Sequence, residues 1–440
     1  MGWLSRPRLR GVNADGSTNS LDGPVVIGPS AAVIGGGPGG LMAAEQLARA
    51  GASVTVYEQM PSMGRKFLIA GRGGLNLTHS EPLPQFLARY GDKQSELTPA
   101  VQAFPPSAVQ DWCKGLAQDS FIGSSGRVFP SGFRATELLR SWLRSLEGLG
   151  VDLQRSQRWL GWDETTGALL VGSADQDKLL APPKMLFPDI TIMSLGGGSW
   201  ERTGSDARWV PKFLAAGISV TELQAANSGF LVQWSSEFRS KFEAAPLKNI
   251  ALTVNNTTVR GEAMISAHGI EGGCIYAVGR ELRSAWEEQG AACIEIDLRP
   301  DLSLEQLEQK LLHSRPKDST STRLQRCLGL PPVSVGLMRE ATNNSLPRDH
   351  RELAQLVKAL PLHLASPEGI DRAISTAGGV AFDELDDRYM IKKRPGVFVA
   401  GEMIDWEAPT GGYLLQATMS TAVAAARGAM NWWTEQLNAT

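Results

Sequence analysis

Ala31-Ala32-Val33-Ile34-Gly35-Gly36-Gly37-Pro38-Gly39-Gly40-Leu41, followed by Ser53-Val54-Thr55-Val56-Tyr57-Glu58, is the stretch that decides the fold. Its first four residues form a continuous apolar run, the signature of a strand buried on both faces of a parallel sheet. Glycines end the run, Leu41, Ala44, Leu47 and Ala48 then recur at helical spacing as far as Gly51, and Ser53 to Tyr57 reads as a second strand. The motif G-x-G-x-x-G therefore stands after a strand and opens a helix, with an acidic residue 18 positions after its last glycine. That context predicts a dinucleotide site. Gly35 permits the tight turn, Gly37 lets a pyrophosphate approach the backbone, and Gly40 lets helix and sheet pack closely. Gly36, Pro38 and Gly39 complete the turn, whose free amides and partial positive charge suit an anion. Glu58 suits the ribose hydroxyls of an adenosine, and its charge disfavours a 2′-phosphate, so NADP is not expected here.

Outward from this unit the alternation continues. Ala135 to Leu149 is amphipathic and leads into a strand at Val151 to Leu153, and Ile190 to Leu195 is an apolar strand that runs into Gly196, Gly197 and Gly198. The middle of the chain differs, with short strands at Gly229 to Trp234 and Ile250 to Val254. A helix through Leu304 to Leu312 follows, opened by a capping box of Ser303 and Gln306, and Ser314 to Thr322 reads as an exposed loop. Val397 to Ala400 then Gly401 restores the strand-then-glycine pattern, and Gly411-Gly412 precede a long final helix. The expected organisation is a loose tail over 1–30, a discontinuous dinucleotide-binding domain over 31–200 and 371–440, and an inserted substrate or cap domain over 201–370, β-rich then helical.

The chain has 440 residues, with 43 Lys plus Arg against 46 Asp plus Glu. A net charge of −3 supplies no positive field for a nucleic acid or an anionic membrane. No apolar run is long enough to span a bilayer. The four cysteines, Cys113, Cys274, Cys293 and Cys327, show no C-x-x-C spacing, which excludes a disulfide framework and a zinc cluster and fits a reducing, cytoplasmic setting.

FAD and NAD share the first turn. Here Gly64-Arg65-Lys66 and Ala70-Gly71-Arg72-Gly73-Gly74 follow the second strand, where an NAD dehydrogenase has no need of a second glycine and arginine loop, so a longer ligand is expected. The cations suit a pyrophosphate, and the small residues let backbone pass a flavin ring. The run Ala32 to Glu58, with Gly64-Arg65-Lys66-Phe67-Leu68-Ile69-Ala70-Gly71-Arg72-Gly73-Gly74-Leu75-Asn76-Leu77-Thr78-His79, resembles the signature of the YhiN/BaiN-like bacterial flavoproteins. The resemblance continues through Gly126-Arg127-Val128-Phe129-Pro130, Leu195-Gly196-Gly197-Gly198-Ser199-Trp200, Gly261-Glu262, Ala267-His268-Gly269-Ile270, Thr376-Ala377-Gly378-Gly379-Val380, Gly401-Glu402-Met403-Ile404-Asp405 and Thr410-Gly411-Gly412-Tyr413-Leu414-Leu415-Gln416.

This resemblance implies an α/β fold, a glutathione-reductase-type FAD-binding Rossmann domain interrupted by a β-rich plus helical insertion, and an FAD-dependent oxidoreductase. It implies cofactor contacts at the first glycine turn, at Glu58 and its neighbour Gln59, at Arg65, Lys66, Gly71, Gly73, Gly74 and Asn76, at Gly196 and Gly197, and at Gly401, Glu402, Asp405, Gly411, Gly412 and Gln416. Many relatives carry Arg-Cys-Asn followed by Thr-Asn where this chain has Gly74-Leu75-Asn76 followed by Thr78-His79, which sets it in a distinct branch.

No cysteine lies in the first helix, Gly39 to Gly51, so a disulfide reductase is excluded, and no second strand-borne G-x-G-x-x-G provides a built-in NAD domain. The expected activity is hydride exchange between flavin and a small organic substrate, with NADH or NADPH binding transiently to reload the flavin. The alternatives are an amine oxidase using oxygen and a non-catalytic flavin-binding module. His79, at the end of the flavin loop, is the candidate acid or base, although flavin chemistry does not require one. Trp200, Trp209 and Trp234 are candidates for an aromatic substrate wall.

Overall fold

A computed structural model describes residues 28–71, 73–174, 182–315 and 317–439. The expected tail over 1–30 falls almost entirely outside them, as does Arg72.

Five parallel strands form the central sheet, in the order Val397–Val399, Ile190–Met193, Ser30–Ile34, Ser53–Tyr57, Asp152–Gln154. The strand read first from the sequence sits in the middle, its apolar residues all buried, which is why it carries no alternation. The helix Pro38–Arg49 buries Leu41, Met42, Ala43, Ala44 and Leu47 between this sheet and the C-terminal helix Tyr413–Asn438. Small residues on the latter, Ala417, Ala422, Ala425, Ala426 and Ala429, allow the two helices to approach. The N-terminal and C-terminal segments thus build one Rossmann-type body.

A second sheet of seven strands runs Leu360–Leu364, Ala292–Asp297, Pro246–Val254, Thr257–Ile265, Gly269–Glu271, Phe230–Leu231, Ser366–Pro367, with every pair antiparallel. Helices Leu304–Leu312, Thr320–Leu328, Pro332–Ala341 and His350–Lys358 close a separate apolar core around it, which draws on residues from Phe230 to Leu364. The capping box at Ser303 and Gln306 is formed. Trp209, Phe213 and Ile218 pack instead with the first core, so the boundary expected at 201 moves inward, towards 230. The two bodies are joined by an antiparallel pair, Val220–Ala226 with Ser375–Val380. Gly378 and Gly379 are required in the second of these strands. Both have positive φ, and a Cβ on them would lie 2.2 Å from Glu222 O and 2.5 Å from Met403 O.

Two expected elements come out shorter. Of Gly229 to Trp234 only Phe230–Leu231 pairs, because Ser235 then caps the helix Ser236–Phe242 through the Phe238 amide. The loop expected over Ser314 to Thr322 ends at Ser319, whose side chain caps Thr320–Leu328.

Candidate functional site

A cavity of about 740 Å³ runs from Glu58 and Gln59 to Gly411 and Gly412, within the range of ligand and cofactor pockets. Its first wall is the glycine turn. Gly35 has φ +110°, donates its amide to Tyr57 O at 2.8 Å, and would place a Cβ 2.1 Å from Ser194 O. Around Gly37 a Cβ would meet nothing within 4 Å, so the backbone there faces open space at the start of the helix Pro38–Arg49. Gly40 does the packing: its Cβ would stand 1.8 Å from Gly35 O.

Glu58 is buried, and its carboxylate accepts from Gly36 N and from Met60 N, both at 2.7 Å. Burial pushes its pKa above the ordinary glutamate value, opposed by those two hydrogen bonds. Gln59 lines the same end, accepting from Arg158 Nε at 2.9 Å and donating to Gly204 O at 2.6 Å.

Halfway along, Lys66 reaches across the body. Its Nζ donates to Ser199 Oγ and to Glu402 Oε2, each at 2.7 Å. Glu402 also accepts from Thr376 N at 3.1 Å, and Thr376 Oγ1 accepts from Gly198 N and Ser199 N. Four segments distant in sequence thus meet at one ion pair on the cavity wall. At the far end Gly411 and Gly412 have φ +130° and +106°, and a Cβ on Gly412 would come within 2.6 Å of the Thr78 backbone. The helix Tyr413–Asn438 starts there with its amide end, and Leu414, Leu415 and Thr418 line the cavity.

Of the residues named from sequence, Gly35, Gly37, Pro38, Gly39, Glu58, Gln59, Arg65, Lys66, Asn76, Gly196, Glu402, Gly411 and Gly412 line this cavity. Gly36, Gly40, Gly71, Gly74, Gly197 and Gly401 stand behind the wall. A Cβ on Gly71 would strike Ala135 at 2.4 Å and one on Gly197 would strike Thr376 at 2.2 Å. Gly74 lies under Phe129 and Phe133. Gly73 is exposed.

Three residues fall elsewhere. Asp405 pairs with Lys93 at 3.0 Å and faces a second, polar cavity of about 200 Å³ between the two bodies. Gln416 is fully buried, its amide engaged by Thr78 Oγ1, Phe104 O and Ser420 Oγ. His79 does not line the cavity. Its Nε2 contacts Ser125 O at 3.0 Å, its Nδ1 accepts from Glu81 N at 3.1 Å, and its ring stacks on Tyr413. Both nitrogens are occupied by backbone, which removes it from the position of an acid or base.

Trp200 and Trp209 line the cavity near Gly196, Trp209 donating to Gly196 O at 2.9 Å. Trp234 packs on Phe238 near the second core. Sequence reasoning did not reach Arg158, Ser194, Ser205, Asp206, Ile374 or Ser375, which come from loops and short strands without a motif and meet only through the fold.

The donor set fits FAD. Asn76 Oδ1, Ser205 Oγ and Trp159 Nε1 are buried without a hydrogen-bond partner, and all three residues line the cavity, so it presents both unmatched acceptors and donors to a ligand. The open amide turn at Gly37, the acid at Glu58 and a second helix N-terminus at Gly412 are spaced along a single elongated space. No cysteine and no histidine line it.

Comparison with known proteins agrees. The family model described as HI0933-like protein Rossmann domain matches residues 29–428. The chain is 24% identical over 427 residues to the 3-dehydro-bile acid delta(4,6)-reductase of Clostridium scindens, covering 90% of this chain and 98% of that one. It is 26% identical over 421 residues to the ribosomal RNA dihydrouridine synthase of Haemophilus influenzae, covering 90% and 96%. Among solved structures, the 3-ketosteroid delta1-dehydrogenase from Sterolibacterium denitrificans superposes with a TM-score of 0.50 at 11% identity, covering 92% of this chain and all of that one, a likeness of fold. The parallel sheet, the glycine turn at its centre and a match spanning nearly the whole chain lead to one conclusion: the protein belongs to the HI0933-like protein Rossmann domain family of FAD-dependent oxidoreductases.

Proposed function

We propose that this enzyme reduces a carbon–carbon double bond conjugated to a carbonyl in a small organic molecule, with FAD held along the large cavity and reloaded by NADH or NADPH that binds transiently. The observation that carries this reading is the single cavity linking the Gly37 turn to the Gly411-Gly412 helix start. The names of the two full-length relatives favour reduction over amine oxidation. A 3-dehydro bile acid reduced at its delta(4,6) bonds and a uridine converted to dihydrouridine both gain hydrogen across a double bond conjugated to a carbonyl.

Bound FAD supplies the hydride. The chain's own residues hold and shield it. The Gly37 amide turn takes the pyrophosphate, Glu58 the adenosine ribose, and the helix start at Gly412 offers its positive end to the flavin. The Trp200 and Trp209 rings, with Leu414 and Leu415, keep the lining largely apolar and exclude water. A net charge of −3 supports a small-molecule substrate rather than RNA.

The test is an anaerobic titration of the purified holoprotein with NADH and NADPH, followed by flavin absorbance. Bleaching is expected, then recovery of colour on adding cyclohexenone or a ketosteroid enone. Recovery only with a uridine-containing RNA would replace the small-molecule substrate. A flavin that stays oxidised with both nucleotides but bleaches with amines would replace the reductase with an oxidase.

A further inference from the structure

Reducing a conjugated double bond takes two steps at carbon, and only one of them is a hydride transfer. When hydride adds at the β-carbon, a new C–H bond forms there and the π pair moves towards the carbonyl oxygen. The α-carbon then needs a proton, and something in the site must give it.

The cavity contains few groups able to do so. No histidine or cysteine lines it. Arg65, Arg158 and Arg208 do not release their protons in proteins. Glu58 is committed to the Gly36 and Met60 amides. Tyr57 precedes Glu58, and Lys212 lies beside Gly161 on the strand that carries Arg158, so both belong to the adenosine end. Lys66 remains. It stands where the linking strand Ser375–Val380 meets the Rossmann body, beside Ser199, Glu402 and Thr376, which is where the inserted body closes on the cavity. An ammonium has three protons, and two are directed to Ser199 Oγ and Glu402 Oε2.

We propose that Lys66 is the proton donor of the reduction, with Glu402 and Ser199 as positioning residues that fix its ammonium so that the third N–H faces the substrate. The Nζ–H bond breaks as the α-carbon C–H bond forms. Lys66 is left neutral and recovers its proton from water. This inference rests on the reductase reading above and assigns that reaction its acid.

The experiment uses the holoenzyme reduced by NADPH without oxygen and mixed rapidly with cyclohexenone or a ketosteroid enone. Lys66→Arg keeps the charge but cannot give the proton. FAD content is measured for each variant, and the expected result is a return of colour in the enone, per bound reduced flavin, slowed about 100-fold or more, the lower range of a general acid's contribution. Lys66→Ala is expected to be slowed similarly and to recover with added alkylammonium ions, in an order that follows their acidity, a response that a purely structural lysine would not give. Wild-type reoxidation of Lys66→Arg by the enone would overturn the proposal, as would loss of FAD from both variants, which would make Lys66 a cofactor anchor. Failure of the wild-type reduced enzyme to respond to any enone would instead refute the reductase reading itself.

Discussion

Glu81 shows how one side chain can sit close to the flavin loop and still serve structure alone. Its Oε1 accepts from Arg89 Nε at 3.1 Å and from the Tyr413 hydroxyl at 2.5 Å, and its Oε2 accepts from Arg89 Nη2 at 2.8 Å. Partial burial pushes its pKa up, but those hydrogen bonds outweigh it and hold the carboxyl below its ordinary value of 4.5. Because the folded value lies below the unfolded one, the stabilisation is complete above the unfolded pKa and is lost as the pH falls through the lowered folded value. Glu81→Gln should therefore lower the urea midpoint near neutral pH by the equivalent of about 1 kcal/mol, since Arg89 is half exposed and screened. Below both values the variant and the parent should unfold together. An equal loss at both pH values would show that packing, not charge, holds Tyr413. The same network sets His79 against Tyr413 and apart from the cavity lining. From sequence, a histidine ending a glycine loop looks poised. In the fold its ring lies flat on Tyr413, and local backbone uses both nitrogens.

At the scale of elements, the helix Pro38–Arg49 separates two uses of glycine that the motif alone cannot rank. Gly40→Ala would drive a Cβ to 1.8 Å from Gly35 O, backbone that has nowhere to go, and should destabilise even the apoprotein by about 3 kcal/mol or more. Gly37→Ala meets no atom within 4 Å, and its φ of −82° suits alanine, so the apoprotein should melt within about 0.5 kcal/mol of the parent while the purified protein loses its yellow colour. Thermal unfolding of flavin-free samples, with flavin absorbance per mole of protein, checks both. A Gly37→Ala protein that kept full colour would place the pyrophosphate elsewhere. This helix was legible because its apolar residues recur at helical spacing, and the strand Ser30–Ile34 because burial on both faces leaves an unbroken apolar run. The strands Thr78–His79, Phe230–Leu231 and Ser366–Pro367 were not, since two residues carry no period and exist as strands only through their partners.

The whole molecule is two cores held together by a few long-range contacts, and those contacts are what sequence patterns show least. Arg283, almost fully buried on the helix Gly279–Gln289 of the inserted body, donates to Glu407 of the Rossmann body, and Arg280 binds the other oxygen of the same carboxylate. Arg280 passes over Gly91 so closely that any side chain there would collide with its guanidinium. Removing the shared carboxylate in Glu407→Ala leaves Arg283 buried with only the Ala225 carbonyl, and should cost about 3 kcal/mol in calorimetric unfolding, with the transition splitting towards two. A single unshifted transition would mean that the linking strands alone hold the bodies together. The strand–turn–helix–strand unit over residues 30–58 could be read from its own pattern because it is contiguous, whereas the far wall at Glu402, Gly411 and Gly412 was named through the family resemblance. Lys66 and Glu402 are 336 residues apart, yet they share one hydrogen bond. On a ribosome adding about 5–20 residues per second, the first half of that pair waits roughly 17–67 s for the second. During that interval the Gly37 turn can already exist but the Gly412 helix cannot, so the nascent chain has a floor for its cofactor and no far wall. Flavin can therefore be gripped from both ends only after Gly412 has been made and folded, and a cell short of flavin would accumulate this protein empty.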